Sequence, residues 1–141
     1  MADYLDTSVV AALLVPDAHS PRAEAWFSRN DDSLIVSDFA ALEFAAVVSR
    51  QFRTGRLSRN DATAVLATFD EWLQSSFVRV EVTQVDIASA ARLAREFETK
   101  LSAPDAIHLA AAARLGARLL TYDDRLAAAG RSQGVAVIVP S

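Results

Sequence analysis

The stretch SAPDAIHLAAAARLGARLLTYDD, Ser102–Asp124, decides the fold. An alanine-rich helical segment opens after Ser102, and the short apolar strand RLLT, Arg118–Thr121, follows it. The segment also holds a contradiction: Asp105 stands in the first turn of the apolar helix, and Asp123 and Asp124 end the second apolar run. An ionised carboxylate buried without a partner costs several kcal/mol, so hydrogen bonds or a cation must face these acids.

The same alternation extends outward along the chain. Short Val, Leu and Ile runs alternate with longer segments of helical period, the pattern of a three-layer α/β domain with a mainly parallel central sheet and helices on both faces. Strands are expected at Asp3–Leu5, Ser33–Val36, Val78–Val82, Arg118–Thr121 and Val135–Val139. Val78, Val80 and Val82 alternate with period two. Helices are expected after Ser20-Pro21, after Ser58 with Asp61 in capping-box spacing, and from Thr83 to about residue 97. Another opens at Ser37 or Asp38, where Phe39, Leu42, Ala46 and Val47 form an apolar stripe with Glu43 at its edge. No linker or repeat interrupts the pattern, so residues 1–141 read as a single domain.

Composition narrows the chemistry. With 141 residues, 52% of them hydrophobic, the chain can bury one substantial core. It contains no cysteine, so a metal would rest on oxygen or imidazole ligands, which favours hard cations. The longest apolar run, Val9–Val15, is far short of a membrane span, and Asp3 and Asp6 stand where a secretory signal would carry basic residues. A cytoplasmic protein with no membrane partner is expected. The net charge of −4 argues against a surface that is basic throughout. A local strip remains, because all but one of the 14 basic residues are arginine, and Arg50, Arg53, Arg56 and Arg59 recur at three-residue intervals. That strip suits phosphate contact, and it equally fits a coding bias or a solvated helix face.

Four segments deliver acids at similar places. Asp6 follows the first strand in YLDTS, Glu43 lies about a turn and a half into its helix, Asp105 follows Ser102, and Asp123 follows RLLT. In parallel sheets ligands bind beyond the carboxyl ends of the strands, where Asp6 and Asp123 would emerge. Each acid has a plainer role open to it. Asp6 could cap a helix starting near Thr7 or Ser8, Asp105 could answer Ser102 in a capping box, Asp123 or Asp124 could cap a helix before Leu126, and Glu43 could pair with Arg50 or a neighbour. A divalent cation instead requires several oxygen ligands drawn to one point.

In order and spacing, YLDTS, ALEFAAVVSR, LSAPDAIHLAAA and LLTYDD resemble the four acidic motifs of the PIN domain, in particular of VapC-type toxins, over essentially the whole chain. The resemblance implies that Asp6, Glu43, Asp105 and Asp123 are both the catalytic acids and the ligands of Mg2+ or Mn2+. It places Thr7 or Ser8 near the metal, and it prefers Asp123, two residues after the threonine, over Asp124, which becomes a supporting or capping residue. It implies a PIN-like fold and a metal-dependent endoribonuclease acting on RNA, with a cognate antitoxin and a homodimer as its assemblies. The chemistry is consistent with this: clustered carboxylates repel, a cation relieves the repulsion, and it can activate a water for attack on phosphorus. The helices at Val9–Val15 and Phe39–Val48 are expected to leave an apolar groove for the antitoxin.

Rival readings fare less well. A phosphatase of the haloacid dehalogenase type needs two aspartates one residue apart, and DYLDT spaces Asp3 and Asp6 wider. A restriction-type nuclease needs an acid-x-Lys after Pro104-Asp105, and the sole lysine, Lys100, lies upstream. A metal-free ribonuclease could use His19 and His108, but these read as a surface-loop residue and a helix residue packed near the site. The alternative from another class is a catalytically silent PIN-like module that binds RNA or protein. Such a module need not keep every acid.

Overall fold

A computed structural model describes residues 1–141. Its centre is a five-stranded, wholly parallel sheet formed by β1 (Ala2–Leu5), β2 (Ser33–Ser37), β3 (Phe77–Val80), β4 (Arg118–Leu120) and β5 (Val137–Ile138), in the spatial order β3-β2-β1-β4-β5. The strands are joined through α1 (Thr7–Leu14), α2 (Ser20–Phe27), α3 (Asp38–Arg53), α4 (Arg59–Ser75), α5 (Gln84–Ala94), α6 (Ala103–Leu115) and α7 (Asp124–Ser132). The expected architecture is therefore the observed one. Strand order reverses direction at β1, so the loops after β1 and β4 flank a crevice at the carboxyl edge.

Successive strand residues supply the two faces. Leu5, Val36 and Leu120 point to one side and pack with Val9, Phe44 and Phe69 from α1, α3 and α4. Tyr4, Ile35 and Leu119 point to the other and pack with Leu109 of α6 and with Leu126 and Ala129 of α7. Gly130 permits the closest approach on that side, since a Cβ there would lie 2.7 Å from Cγ2 of Val137.

Several local expectations shift. The buried stripe of α3 is Ala40, Phe44 and Val48, with Leu42 66% exposed; the phase is set by Ser37, whose Oγ accepts from the Ala40 amide. Strand β3 stops at Val80 because the Val82 amide turns away to donate to Oδ1 of Asp38, and Val78 is half exposed. Ser20 is the first residue of α2, not its cap, and helix α5 ends at Ala94, with a separate 3-10 turn at Phe97–Thr99. Ser58 caps α4 by accepting from the Asp61 amide, without the reciprocal bond of a full box, whereas Thr83, the expected opening of its helix, forms a full box with Asp86. Asp3 is fully buried at the opposite end of β1 from Asp6, held in a bidentate pair by Arg118, its register partner on β4.

Candidate metal centre

Asp6 leaves the carboxyl end of the central strand and caps α1. Its Oδ1 accepts from the Val9 amide at 3.2 Å and from Ser8 Oγ at 2.6 Å, while its Oδ2 accepts from Thr121 Oγ1 at 2.5 Å. Thr121 Oγ1 in turn accepts from the Asp123 amide, and the Asp6 amide donates to the Leu120 carbonyl. The ends of β1 and β4 are thus knotted around one carboxylate. Burial pushes the Asp6 pKa up, although the hydroxyls of Ser8 and Thr121 work against the shift.

Asp105 and Asp123 arrive from α6 and from the N-terminus of α7. Ser102 caps α6 by accepting from the Asp105 amide, and Asp123 caps α7 by accepting from the Leu126 amide. Asp105 is raised in pKa chiefly by burial and next by the charge of Asp123, with a further contribution from Asp6. Asp105 therefore senses the charges of both Asp123 and Asp6. Asp124 is the first residue of α7 and is exposed.

Glu43 is placed differently from the reading that paired it with Arg50. Its Oε1 accepts from Thr7 Oγ1 at 2.7 Å and meets Nε2 of His108 at 2.5 Å. Burial alone would raise its pKa, but the hydrogen bonds from His108 and Thr7 more than offset this and hold the carboxyl below its ordinary value. His108 is 2% exposed, and its Nδ1 lies 2.7 Å from the Tyr4 hydroxyl, which donates to Ser37 Oγ. Tyr4 and Ser37 escape sequence reasoning because one reads as an ordinary strand residue and the other as a helix opener. Thr121 had a signal in its spacing of two from Asp123. His19 takes none of these acids as a hydrogen-bond partner; its Nδ1 meets Arg22, and its ring is stacked on Tyr122 with centroids 4.3 Å apart.

No three acid or imidazole side chains stand close enough, as they lie, to enclose a cation. The donor set nonetheless suits one. It is all oxygen, it is partly desolvated, and the charges of Asp123 and Asp6 raise the pKa of Asp105, a cost that a hard divalent cation removes.

A family model for the PIN domain matches residues 4–132, and the chain belongs to that family. Among its relatives, Ribonuclease VapC46 of Mycobacterium tuberculosis is 32% identical over 143 aligned positions, covering 99% of this chain and 98% of the relative. Ribonuclease VapC3 of Pyrobaculum aerophilum is 31% identical, covering 87% of this chain and 90% of its own. In structure the chain is similar to Mycobacterium tuberculosis VapC20, described as a sarcin-ricin loop cleaving toxin, with a TM-score of 0.74, 24% identity and coverage of 91% of this chain and 95% of that one.

Proposed function

We propose that the protein is the toxin of a toxin–antitoxin pair, an endoribonuclease that hydrolyses RNA phosphodiester bonds with Mg2+ or Mn2+. The observation that carries the reading is Asp6: a buried carboxylate at the carboxyl end of the central strand, whose charge, with that of Asp123, is felt by Asp105. In this reading Asp6, Asp105 and Asp123 hold the cation, with Glu43 binding it directly or through water. When bound, such a cation lowers the pKa of a coordinated water and offsets charge on the phosphate oxygens. Thr121 and Ser8 fix the Asp6 carboxylate through their hydroxyls. Thr7 and His108 both engage Oε1 of Glu43, which leaves Oε2 free of protein partners. No side chain has to act as the nucleophile.

Support for the partner comes from relatives named as VapC ribonucleases and from structural likeness to toxin–antitoxin complexes, among them one from Klebsiella pneumoniae with a TM-score of 0.67. In this reading the antitoxin seats between α1 and α3, where Ala11, Ala46 and Val47 line an open trough, whereas Val9, Val10 and Ala12 are buried in the core. A homodimer belongs to the same reading, and the exposed Val85 and Ile87 of α5 offer apolar surface for it. No helix is long and apolar enough to cross a membrane. The test is cleavage of RNA by the purified protein with Mg2+, with Mn2+ and with chelator, beside Asp6→Asn. Cleavage that persists in chelator, or in the variant, overturns the metal assignment.

A further inference from the structure

The arginines that recur at three-residue intervals do not form one strip. Arg53 Nη1 donates to Ser49 Oγ, and the Arg59 guanidinium lies 4.8 Å from the centre of the Phe52 ring. Arg50 and Arg56 are different. A trough beginning at Thr7, Ser8 and Glu43 runs along α3 to Val47 and Arg50, and an adjoining trough shares Val47 and Arg50 and continues to Gln51, Thr54 and Arg56. The two form one groove that leads from Glu43, the acid of the quartet that lines it, to a pair of guanidiniums. Both arginines are exposed, and neither takes part in an ion pair.

Backbone chemistry turns Arg56 onto this wall. Helix α3 ends in a Schellman turn: the Arg56 amide donates to the Gln51 carbonyl at 2.8 Å and the Gly55 amide to the Phe52 carbonyl at 3.1 Å. Gly55 adopts φ +78°, a conformation that glycine takes without strain, and the reversal brings Arg56 back beside Arg50. Cations in a last helical turn also favour the helix dipole, which accounts for Arg50 and Arg53 but not for the return of Arg56. Arg50 lies two turns beyond Glu43 on the same face, about 10 Å along the axis, so a phosphate on the acids and a phosphate on Arg50 are different ones.

We infer that Arg50 and Arg56 form a phosphate-binding subsite for a single-stranded RNA whose scissile phosphate sits at the acids. The inference rests on the ribonuclease reading and adds the direction of the strand, along α3 toward its C-terminus. Arginine's fork suits phosphate oxygens, and the acidic end of the groove repels RNA without a cation, so these cations supply the attraction that the net charge of −4 denies. Asp17 lines the wall beyond Arg56 and marks where this attraction ends.

The test is Arg50→Ala/Arg56→Ala, with Arg50→Lys/Arg56→Lys as the charge-preserving control, assayed on a short fluorescein-labelled single-stranded RNA. With Mn2+, the alanine variant should raise KM by about 10-fold with kcat within about twofold, and the lysine variant should recover most of the loss. In chelator, anisotropy should show weaker binding whose logarithmic salt dependence is shallower by about 0.7 for each arginine removed. Equal KM and equal salt dependence in wild type and alanine variant overturn the subsite while leaving the nuclease reading intact. Absence of cleavage by the wild type, with binding still lost in the alanine variant, defeats the nuclease reading and upholds the groove. An unchanged KM with loss of a protein partner instead assigns the groove to that partner and also overturns the subsite.

Discussion

Nε2 of His108 and Oε1 of Glu43, from helices 65 positions apart in sequence, meet at 2.5 Å at the rim of the acid cluster. One end of the contact is buried and the other half-exposed. Tyr4 backs His108 through Nδ1, and Tyr4 is itself fully buried. The orientation of Glu43 is therefore set from inside the core. Tyr4→Phe removes one hydroxyl and leaves Nδ1 without its partner, which should cost about 1–2 kcal/mol in urea unfolding. The accompanying kinetic change should fall on kcat more than on KM, since Glu43 is disoriented while the groove is untouched. An unaltered kcat would separate Glu43 from the His108 chain.

Asp6→Asn should abolish cleavage yet leave the metal-free protein as stable or more stable, by something on the order of 1 kcal/mol at neutral pH. Asparagine keeps the helix cap and removes the desolvated charge. The sign follows from linkage. Asp6 has a higher pKa folded than unfolded, so metal-free stability falls as pH rises from the ordinary carboxylate range through the raised value. Melting temperature against pH should show this loss in the wild type and a flatter curve in the variant.

Cation binding should depend on Asp105. Calorimetric titration with Mn2+ should give a weaker, less proton-coupled signal in Asp105→Asn, because a carboxyl of raised pKa both supplies an oxygen and releases protons when the ion binds. Identical isotherms would take Asp105 out of the site.

Cleavage products should carry 5′-phosphate and 3′-hydroxyl ends, since attack by water leaves the ribose 2′-hydroxyl uninvolved. End-group analysis checks this directly. A 2′,3′-cyclic phosphate formed in chelator would return His108 to consideration as an acid–base group.

Gly130→Ala should destabilise the fold by about 1–3 kcal/mol without changing KM, because the new methyl meets Val137 far from the groove. Thermal melts and steady-state kinetics on the same preparation test the separation.

The sequence carried the layer order well because strands and helices differ in period, and strands buried on both faces leave continuous Val, Leu and Ile runs. It carried the positions of Asp6, Asp105 and Asp123 because each follows a strand or a capping serine. It did not carry the phase of α3, since FAALEFAAVV offers apolar residues on nearly every side, and the decision falls to the Ser37 cap. Nor did it carry the partner of Glu43. Arg50, at helical spacing, was the local choice, whereas the actual contact comes from a helix on the other face of the sheet, whose proximity depends on the strand order.

That strand order also dictates when the protein becomes active during its own synthesis. The central strand β1 emerges first, yet the neighbour that completes the Asp6 environment, β4 with Thr121, is among the last segments made. A nascent chain still short of Thr121 lacks the hydrogen bond from that hydroxyl to Asp6, and it lacks Asp123, the acid that caps α7. On the ribonuclease reading, a ribosome translating this chain is thus beside a site that should stay unassembled until the last helix leaves the exit tunnel. Ribosome-stalled chains ending before residue 118 should be harmless to RNA, and release of the full-length chain should start cleavage.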